Sequence, residues 1–302
     1  MSRSTHLYEF VMKLWPLSRV AYKLGSQPLI GPLMRPIFST RANQAAIIPV
    51  NEVIRNDESV VLPYTLLPPL IKGASSRFLM SHCMCRRNEN CSTYPHSLGC
   101  LFLGDGAAQI NPGLGHIASV GEALSHVEHA MQAGLVPLIA HTVFDSYLLG
   151  IPYRRMLTIC FCCDCCCTVR HGLRIGPPAF WEIVNRLPGL RVEAGEECLG
   201  CETCLPVCSV GAISMRNGRA SIDETCKGCG RCVEACPVGA IQMVMDEQVN
   251  TLQRLLAGID RHTDIGRTGD SSNLDHEKQY KPDNHINLAG FNETQADSDA
   301  LL

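Results

Sequence analysis

The sequence repeats one spacing of cysteines twice between residues 198 and 236, and no other feature constrains the fold as strongly. The spacing C-x2-C-x2-C-x3-C occurs at Cys198, Cys201, Cys204 and Cys208, and again at Cys226, Cys229, Cys232 and Cys236. The whole chain holds 18 cysteines among 302 residues. Cysteines in such number form disulfides in secreted proteins and bind metals or carry redox chemistry inside cells, so the compartment decides between the two.

The beginning of the sequence favours reduced thiols. Residues 1–26 are interrupted by Lys13, Pro16, Arg19 and Lys23, and they contain no small-residue cleavage site for a secretory signal. No apolar run elsewhere in the sequence reaches the length that spans a membrane. We therefore expect a cytoplasmic protein whose cysteines bind metal.

The repeated spacing is suited to two [4Fe–4S] clusters. Three thiolates on one tight loop bind three irons of a cluster, while the fourth, on the following helical turn, points to the other cluster. This predicts crossed ligation, with one cluster bound by Cys198, Cys201, Cys204 and Cys236 and the other by Cys226, Cys229, Cys232 and Cys208. Two zinc sites are the alternative, but eight cysteines in duplicated order exceed what two zinc ribbons require.

The segment that begins "ECLGCETCLPVC" at Glu197 resembles a bacterial-type two-cluster ferredoxin domain. The resemblance implies a small duplicated βαβ-like fold that carries single electrons at low potential. Ser209 stands where the first repeat of that family usually carries proline, which changes no ligand. The pair Asn217-Gly218 between two short apolar segments predicts a two-residue hairpin.

Ten further cysteines lie upstream in two groups. The first group is Cys83, Cys85, Cys91 and Cys100, and the second is Cys160, Cys162, Cys163, Cys165, Cys166 and Cys167. We predict that they bind one or two additional iron–sulfur clusters, with structural zinc and unliganded buried thiols as alternatives. Neighbouring cysteines point to opposite sides of an extended chain, so one mononuclear site cannot use the whole second group. Four ligands from the first group, or a mixed set from both groups, remain open.

The order of these cysteine groups also carries a wider resemblance. A "CxCR" motif, the "CxCCxCCC" motif and a two-cluster domain over residues 75–245 are similar to a family of iron–sulfur proteins from anaerobes described as 4Fe–4S dicluster-domain proteins. The resemblance implies a place in an anaerobic redox system. Six arginines flank the upstream cysteines, either as ordinary surface charge or to stabilise a net negative cluster: Arg86, Arg87, Arg154, Arg155, Arg170 and Arg174.

The fold class predicted from the patterns is α/β (α+β), a cysteine-rich mixed domain followed by a small ferredoxin-like domain. Ser119 with Glu122 forms a capping-box signature that predicts a helix over 120–133. Short apolar runs over 134–144 and 156–161 predict buried strands, and Pro177-Pro178 precedes a predicted short helix in 179–187. The predicted divisions are a basic amphipathic segment (1–60), the cysteine-rich domain (61–188), the two-cluster domain (189–246), and a short helix with a disordered polar tail (247–302).

Residues 1–45 combine basic and large apolar side chains without a spanning-length run. Such a segment can lie on a membrane surface, here the inner face, with its cations near anionic lipid. The alternative is a helix that packs on the protein's own core or on a partner subunit.

The composition limits the function classes. A formal charge of −3 and the lack of a basic surface beyond the first segment argue against nucleic-acid binding. The sequence holds no G-x-x-x-x-G-K-[ST], H-E-x-x-H or G-x-G-x-x-G motif. We predict an electron-transfer protein that relays single electrons between redox partner proteins. The alternative is an oxidoreductase whose cysteine-rich domain carries a substrate-activating cluster fed by the ferredoxin domain, so the sequence leaves open whether the protein is an enzyme.

Overall fold

The computed structural model describes residues 3–34, 43–49, 54–55, 60–61, 66–246 and 248–266. Within these residues the fold is mixed α/β, as predicted. The helices are α1 (Thr5–Lys13), α2 (Leu17–Gly25), α3 (Gly31–Met34), α4 (Leu67–Gly73), α5 (Met84–Asn88), α6 (Val120–Gln132), α7 (Val143–Leu149), α8 (Thr168–Ile175), α9 (Pro178–Ile183), α10 (Arg231–Glu234) and α11 (Thr251–His262). The predicted disordered tail beyond residue 266 lies outside the described residues.

The strands of the described residues form a large sheet, a smaller sheet and a hairpin. They are β1 (Asn43–Ile47), β2 (Ile54–Arg55), β3 (Val60–Val61), β4 (Arg77–Met80), β5 (Leu101–Leu103), β6 (Gly115–Ile117), β7 (Val136–Thr142), β8 (Leu157–Cys162), β9 (Val184–Asn185), β10 (Leu190–Ala194), β11 (Ile213–Arg216), β12 (Arg219–Ile222) and β13 (Ile241–Met245). The large sheet has the order β6-β4-β5-β8-β7-β1-β9, and the smaller sheet has the order β10-β13-β2-β3.

Strand β8 lies at the middle of the large sheet, where it pairs antiparallel with β5 and β7. Side chains alternate between the two faces of a strand, so Ile159 and Phe161 enter the main core, while Cys160 packs against both the main and the smaller core. The register of β5 against β8 pairs Leu101 with Ile159. Cys100 therefore comes opposite Cys160, which brings two cysteines from distant parts of the sequence together.

Several local predictions are confirmed. Helix α6 spans Val120–Gln132, and the Ser119 hydroxyl oxygen accepts a hydrogen bond from the Glu122 N–H at 3.2 Å. The predicted hairpin is present, because β11 and β12 pair antiparallel around Asn217 and Gly218, whose φ angles are 50° and 74°. Positive φ at both central residues is the requirement of a type I′ turn.

Two predicted elements end earlier than expected. The apolar run over 134–144 is strand only as far as Thr142, whose side chain caps helix α7 by accepting from the Asp145 N–H at 3.1 Å. Helix α9 stops at Ile183, because Val184 becomes extended and pairs in parallel with Ala45 of β1. Pairing with a distant strand ends this helix, and the adjacent sequence contains no feature that predicts this end.

The amino-terminal helices have one buried face and one exposed face. Tyr8 and Met12 of α1 enter the core beneath β4, and Tyr22 of α2 enters the other core. The opposite face exposes large apolar side chains: Leu7, Phe10, Leu14, Leu17, Val20 and Leu24. Packing on the protein's own core therefore explains the buried apolar residues of this segment. It does not explain these six exposed residues, which we call the exposed row.

The main core continues from the large sheet into the two-cluster segment. Leu138 and Ile159 of the sheet belong to the same buried cluster as Leu190 and Met243 of the pair β10–β13. The division near residue 188 stays a prediction, and the buried side chains on its two sides are in contact.

Candidate metal centres

The duplication seen in the sequence extends to the backbone of the two repeats. Equivalent positions adopt left-handed conformations in pairs: Gly200 and Gly228 (φ 67° and 66°), Glu202 and Gly230 (63° and 83°), and Gly211 and Gly239 (69° and 63°). Left-handed turns let a short loop wrap its amide groups and thiols around one centre. Two similar loops therefore present two similar sets of cysteines.

The first ferredoxin set consists of Cys198, Cys201, Cys204 and Cys236. Burial raises the pKa of Cys204, and the charges of Cys198, Cys201 and Cys236 in their thiolate forms raise it further. The Sγ atoms of Cys236 and Cys198 accept hydrogen bonds from the Ala240 and Ala220 N–H groups at 3.2 and 3.4 Å. Cys201 is exposed, so this set opens to solvent.

The second ferredoxin set consists of Cys208, Cys226, Cys229 and Cys232. The four line one cavity. Ile47 of β1 also lines this cavity, so the large sheet closes one side of it. Burial raises the pKa of Cys232, and the charges of Cys229, Cys226 and Cys208 add to the effect. Cys208 of the first repeat therefore lies with three cysteines of the second repeat, and crossed ligation of the clusters stays a prediction.

Gly228 gives a test of how tightly the second set is packed. A Cβ on Gly228 would lie 2.7 Å from Leu190 Cδ2, whereas a Cβ on Gly211 would meet nothing within 4 Å, although both residues have positive φ. We expect Gly211→Ala to cost about 1 kcal/mol of unfolding free energy from backbone strain alone. Gly228→Ala should cost about 1–3 kcal/mol more, because overpacking adds to the strain. Anaerobic urea unfolding measures the unfolding free energy of both variants. Equal losses would contradict the close contact between Gly228 and Leu190.

Six of the upstream thiols form the inner thiol group, which consists of Cys83, Cys85, Cys100, Cys160, Cys162 and Cys167. The Sγ atoms of Cys100 and Cys160 lie 3.5 Å apart. A hydrogen bond from Cys162 lowers the pKa of Cys167 to about 7, helped by the Val169 and Arg170 N–H groups at the start of α8. A lowered pKa favours the thiolate, which is the form that binds metal.

Hydrogen bonds and charges join the remaining members of the inner thiol group. The hydrogen bond with Cys83 raises the pKa of Cys85, as do burial and the charge of Cys167. The hydrogen bond with Cys167 raises the pKa of Cys162, and the charges of Cys85 and Cys100 act in the same direction. The group therefore draws on both sequence groups, in line with the mixed arrangement.

Helices α1 and α2 cover the inner thiol group. The Trp15 Nε1–H donates to Thr168 Oγ1 at 2.8 Å, and Thr168 Oγ1 lies 3.4 Å from Cys85 Sγ. Burial raises the pKa of the Tyr8 and Tyr22 phenols, and the charge of Cys85 contributes to both shifts. The amino-terminal segment thus shields these thiols from water.

The other four upstream thiols form the outer thiol group, which consists of Cys91, Cys163, Cys165 and Cys166. Their Sγ atoms all lie within 4.8 Å of one another. Cys91 Sγ and Cys166 Sγ are each 3.4 Å from Cys165 Sγ, and Cys163 Sγ accepts from the Cys166 N–H at 3.3 Å. The adjacent residues Cys162 and Cys163 therefore belong to different groups. This agrees with the expectation that neighbouring side chains of an extended chain point to opposite sides.

An ion pair joins the outer thiol group to the second ferredoxin set. Asp164, between Cys163 and Cys165, has its Oδ2 atom 3.4 Å from Arg231 Nη1. Arg231 lies between Cys229 and Cys232 and also donates to the Gly134 carbonyl at 2.5 Å. The two cysteine loops are thus held against each other.

The flanking arginines have separate roles. Arg86 is fully buried, and its guanidinium donates to the Pro95 carbonyl at 2.9 Å, to the Phe161 carbonyl at 2.7 Å and to the Leu98 carbonyl. Arg155, by contrast, pairs with Asp105 at the surface. Arg86 therefore fixes the loop between Cys83 and Cys100 to the end of β8.

A comparison with protein families supports part of this picture. Residues 197–240 match the family model described as "4Fe-4S dicluster domain". No curated protein and no solved structure matches the chain. The matched segment contains all eight cysteines of the repeats, so a 4Fe–4S dicluster domain is the class of module that this part of the chain contains.

Proposed function

We propose that this protein transfers single electrons at low potential through two [4Fe–4S] clusters in residues 197–240. The observation that supports this most strongly is the gathering of eight thiols into two sets of four, within the segment that matches the dicluster domain. The first ferredoxin set would bind one cluster and the second ferredoxin set the other. The clusters supply the redox change, while the chain positions them and donates N–H groups to the cysteine sulfurs, which raises a cluster's potential.

The two sets suggest a direction for the relay. Cys201 of the first ferredoxin set is exposed, and the neighbouring Leu199 side chain is 70% exposed, as suits a surface where a redox partner docks. The second ferredoxin set faces the large sheet and contacts the cysteine-rich domain through Arg231. Electrons would enter or leave at the first cluster and pass through the second to further metal bound by the upstream cysteines.

A ligand-binding experiment separates this relay from an oxidoreductase with a substrate-activating cluster. Clusters with complete cysteine ligation have no open iron, so cyanide should leave the EPR spectrum of the reduced protein unchanged. A cyanide-dependent change that disappears in Cys85→Ser would instead favour the substrate-activating cluster. We place the protein in an anaerobic, reducing cytoplasm because Cys165 and Cys201 are exposed, and accessible thiolates are readily oxidised.

We further propose that the exposed row on α1 and α2 binds the inner face of a membrane. None of the described helices is long and apolar enough to cross a bilayer. Phe10, Leu14 and Leu17 are 46–59% exposed, and the exposed Lys13 and Lys23 lie on the same two helices. Apolar burial at the headgroup boundary, with about 1 kcal/mol from each cation near anionic lipid, would hold the protein there.

Flotation with anionic liposomes tests the membrane proposal. The intact protein should float at low salt and sink as the salt concentration rises. Phe10→Asp with Leu14→Asp should abolish flotation, because both side chains are exposed and the helices keep their buried face. Leu199→Asp, which changes an exposed apolar residue elsewhere, is the matched control and should float normally. An intact protein that stays at the bottom at every salt concentration would contradict the proposal.

A further inference from the structure

We propose that the outer thiol group binds a single tetrahedral metal ion without inorganic sulfide. Cys91, Cys163, Cys165 and Cys166 bring four Sγ atoms within 4.8 Å of one another. Among the residues that the structure describes, no other set of three or more such side chains gathers this tightly. The site lies outside the dicluster domain and does not depend on the proposed electron relay.

The spacing of the sulfur atoms distinguishes a single ion from a cluster. A Zn–S bond is about 2.3 Å long, so four thiolates in tetrahedral positions lie about 3.8 Å apart. The two Sγ contacts of Cys165, with Cys91 and Cys166, are both 3.4 Å and close to that spacing. The four thiolates of a [4Fe–4S] cluster bind four different irons and stand around the whole cubane, so they lie farther apart than the ligands of a single ion.

The surroundings hold the four ligands in place. The His96 ring donates from Nε2 to the Cys91 carbonyl at 2.8 Å, and the His171 ring donates from Nε2 to the Cys165 carbonyl at 3.2 Å. The Cys166 N–H donates to Cys163 Sγ. Bonds of this kind orient metal ligands and reduce the entropy lost on binding.

The position of this site indicates a structural role. Four protein ligands close a tetrahedral site, which leaves no position for substrate. The ion would cross-link the turn after α5 to the loop between β8 and α8, and Cys162 and Cys167 of the inner thiol group stand at the two ends of this loop. Asp164 in this loop also pairs with Arg231. The ion would thus lie between the inner thiol group and the contact with the second ferredoxin set.

Metal and sulfide analysis of the full chain, purified anaerobically, tests this site. Cys165→Ser changes an exposed ligand and should remove one metal ion per chain while acid-labile sulfide stays at the wild-type level. Cys85→Ser in the inner thiol group is the matched control and should keep that ion. The ion lost would be zinc, or iron without sulfide, since tetrahedral thiolate sites suit both. Loss of several irons together with sulfide in Cys165→Ser would overturn the proposal.

Cobalt gives a second readout that does not depend on which metal the cells supply. Protein produced with Co²⁺ should show thiolate-to-cobalt absorption and the strong visible bands of tetrahedral coordination. Cys165→Ser and Cys91→Ser should each lose these bands, and Cys85→Ser should retain them. Bands that survive in both outer variants would overturn the assignment. A failure of the dicluster proposal would appear instead as unchanged iron and sulfide in Cys201→Ser, so the two proposals fail separately.

Discussion

Replacing Cys208 with serine is expected to destroy the cluster bound by Cys226, Cys229 and Cys232, although Cys208 belongs to the other repeat. Its thiol lines the cavity of the second ferredoxin set, and its charge acts on the pKa values of Cys226 and Cys232. A cluster that loses one of its four thiolates should become labile, at a cost of about four irons and four sulfides.

The matched control is Cys204→Ser, which lies in the same repeat but in the first ferredoxin set. It should remove the other cluster and leave the cluster at Cys226 intact. EPR of the reduced variants identifies the surviving cluster, because the two sets differ in solvent exposure and in hydrogen bonds to sulfur. If both variants lose the same cluster, the ligation follows the sequence and is not crossed.

Replacing Arg86 with leucine is expected to destabilise the cysteine-rich domain by about 3–5 kcal/mol. The guanidinium satisfies three carbonyls, those of Pro95, Leu98 and Phe161, at a site with no exposure to solvent. Leucine would leave these acceptors without donors in the protein interior. The upstream metal should be lost with the structure, because the Phe161 carbonyl lies between Cys160 and Cys162.

The neighbouring Arg87 is exposed and gives the matched control. Arg87→Leu should change the unfolding free energy by no more than about 0.5 kcal/mol, as for other surface substitutions. Arg86→Lys keeps the positive charge but loses the planar guanidinium with its several N–H donors. Its unfolding free energy should therefore fall between those of Arg86→Leu and Arg87→Leu. Urea unfolding measures the unfolding free energy of all three variants. An equal stability of Arg86→Leu and Arg87→Leu would show that the carbonyl contacts contribute little.

Features with a local cause could be predicted from the sequence. The Ser119 cap and the Asn217-Gly218 turn each depend on a few adjacent residues, and both are present in the structure. The cap of α7 by Thr142 had the same kind of signal, an Asp three residues later, which the apolar run over 134–144 obscured. The repeated cysteine spacing is likewise local, since each loop presents three thiols of one set.

The sorting of the ten upstream thiols into six and four could not be predicted. Cys100 meets Cys160 through the register of β5 against β8, and Cys91 meets Cys165 through the folding of two separate turns. Both contacts depend on tertiary packing, which the spacing of cysteines does not encode. The same holds for Trp15 of the amino-terminal segment, which hydrogen-bonds to Thr168 beside the inner thiol group.

The most direct test of the central proposal is a stoichiometric reductive titration of the anaerobic protein followed by EPR. Two [4Fe–4S] clusters in residues 197–240 should together accept about two electrons at low potential. Their reduced signals should show magnetic interaction, because the short loops keep the two sets of cysteines close together. Cys201→Ser should remove one cluster and, with it, the interaction. A protein that accepts no electrons at low potential and carries zinc on its repeated cysteines would contradict the proposal.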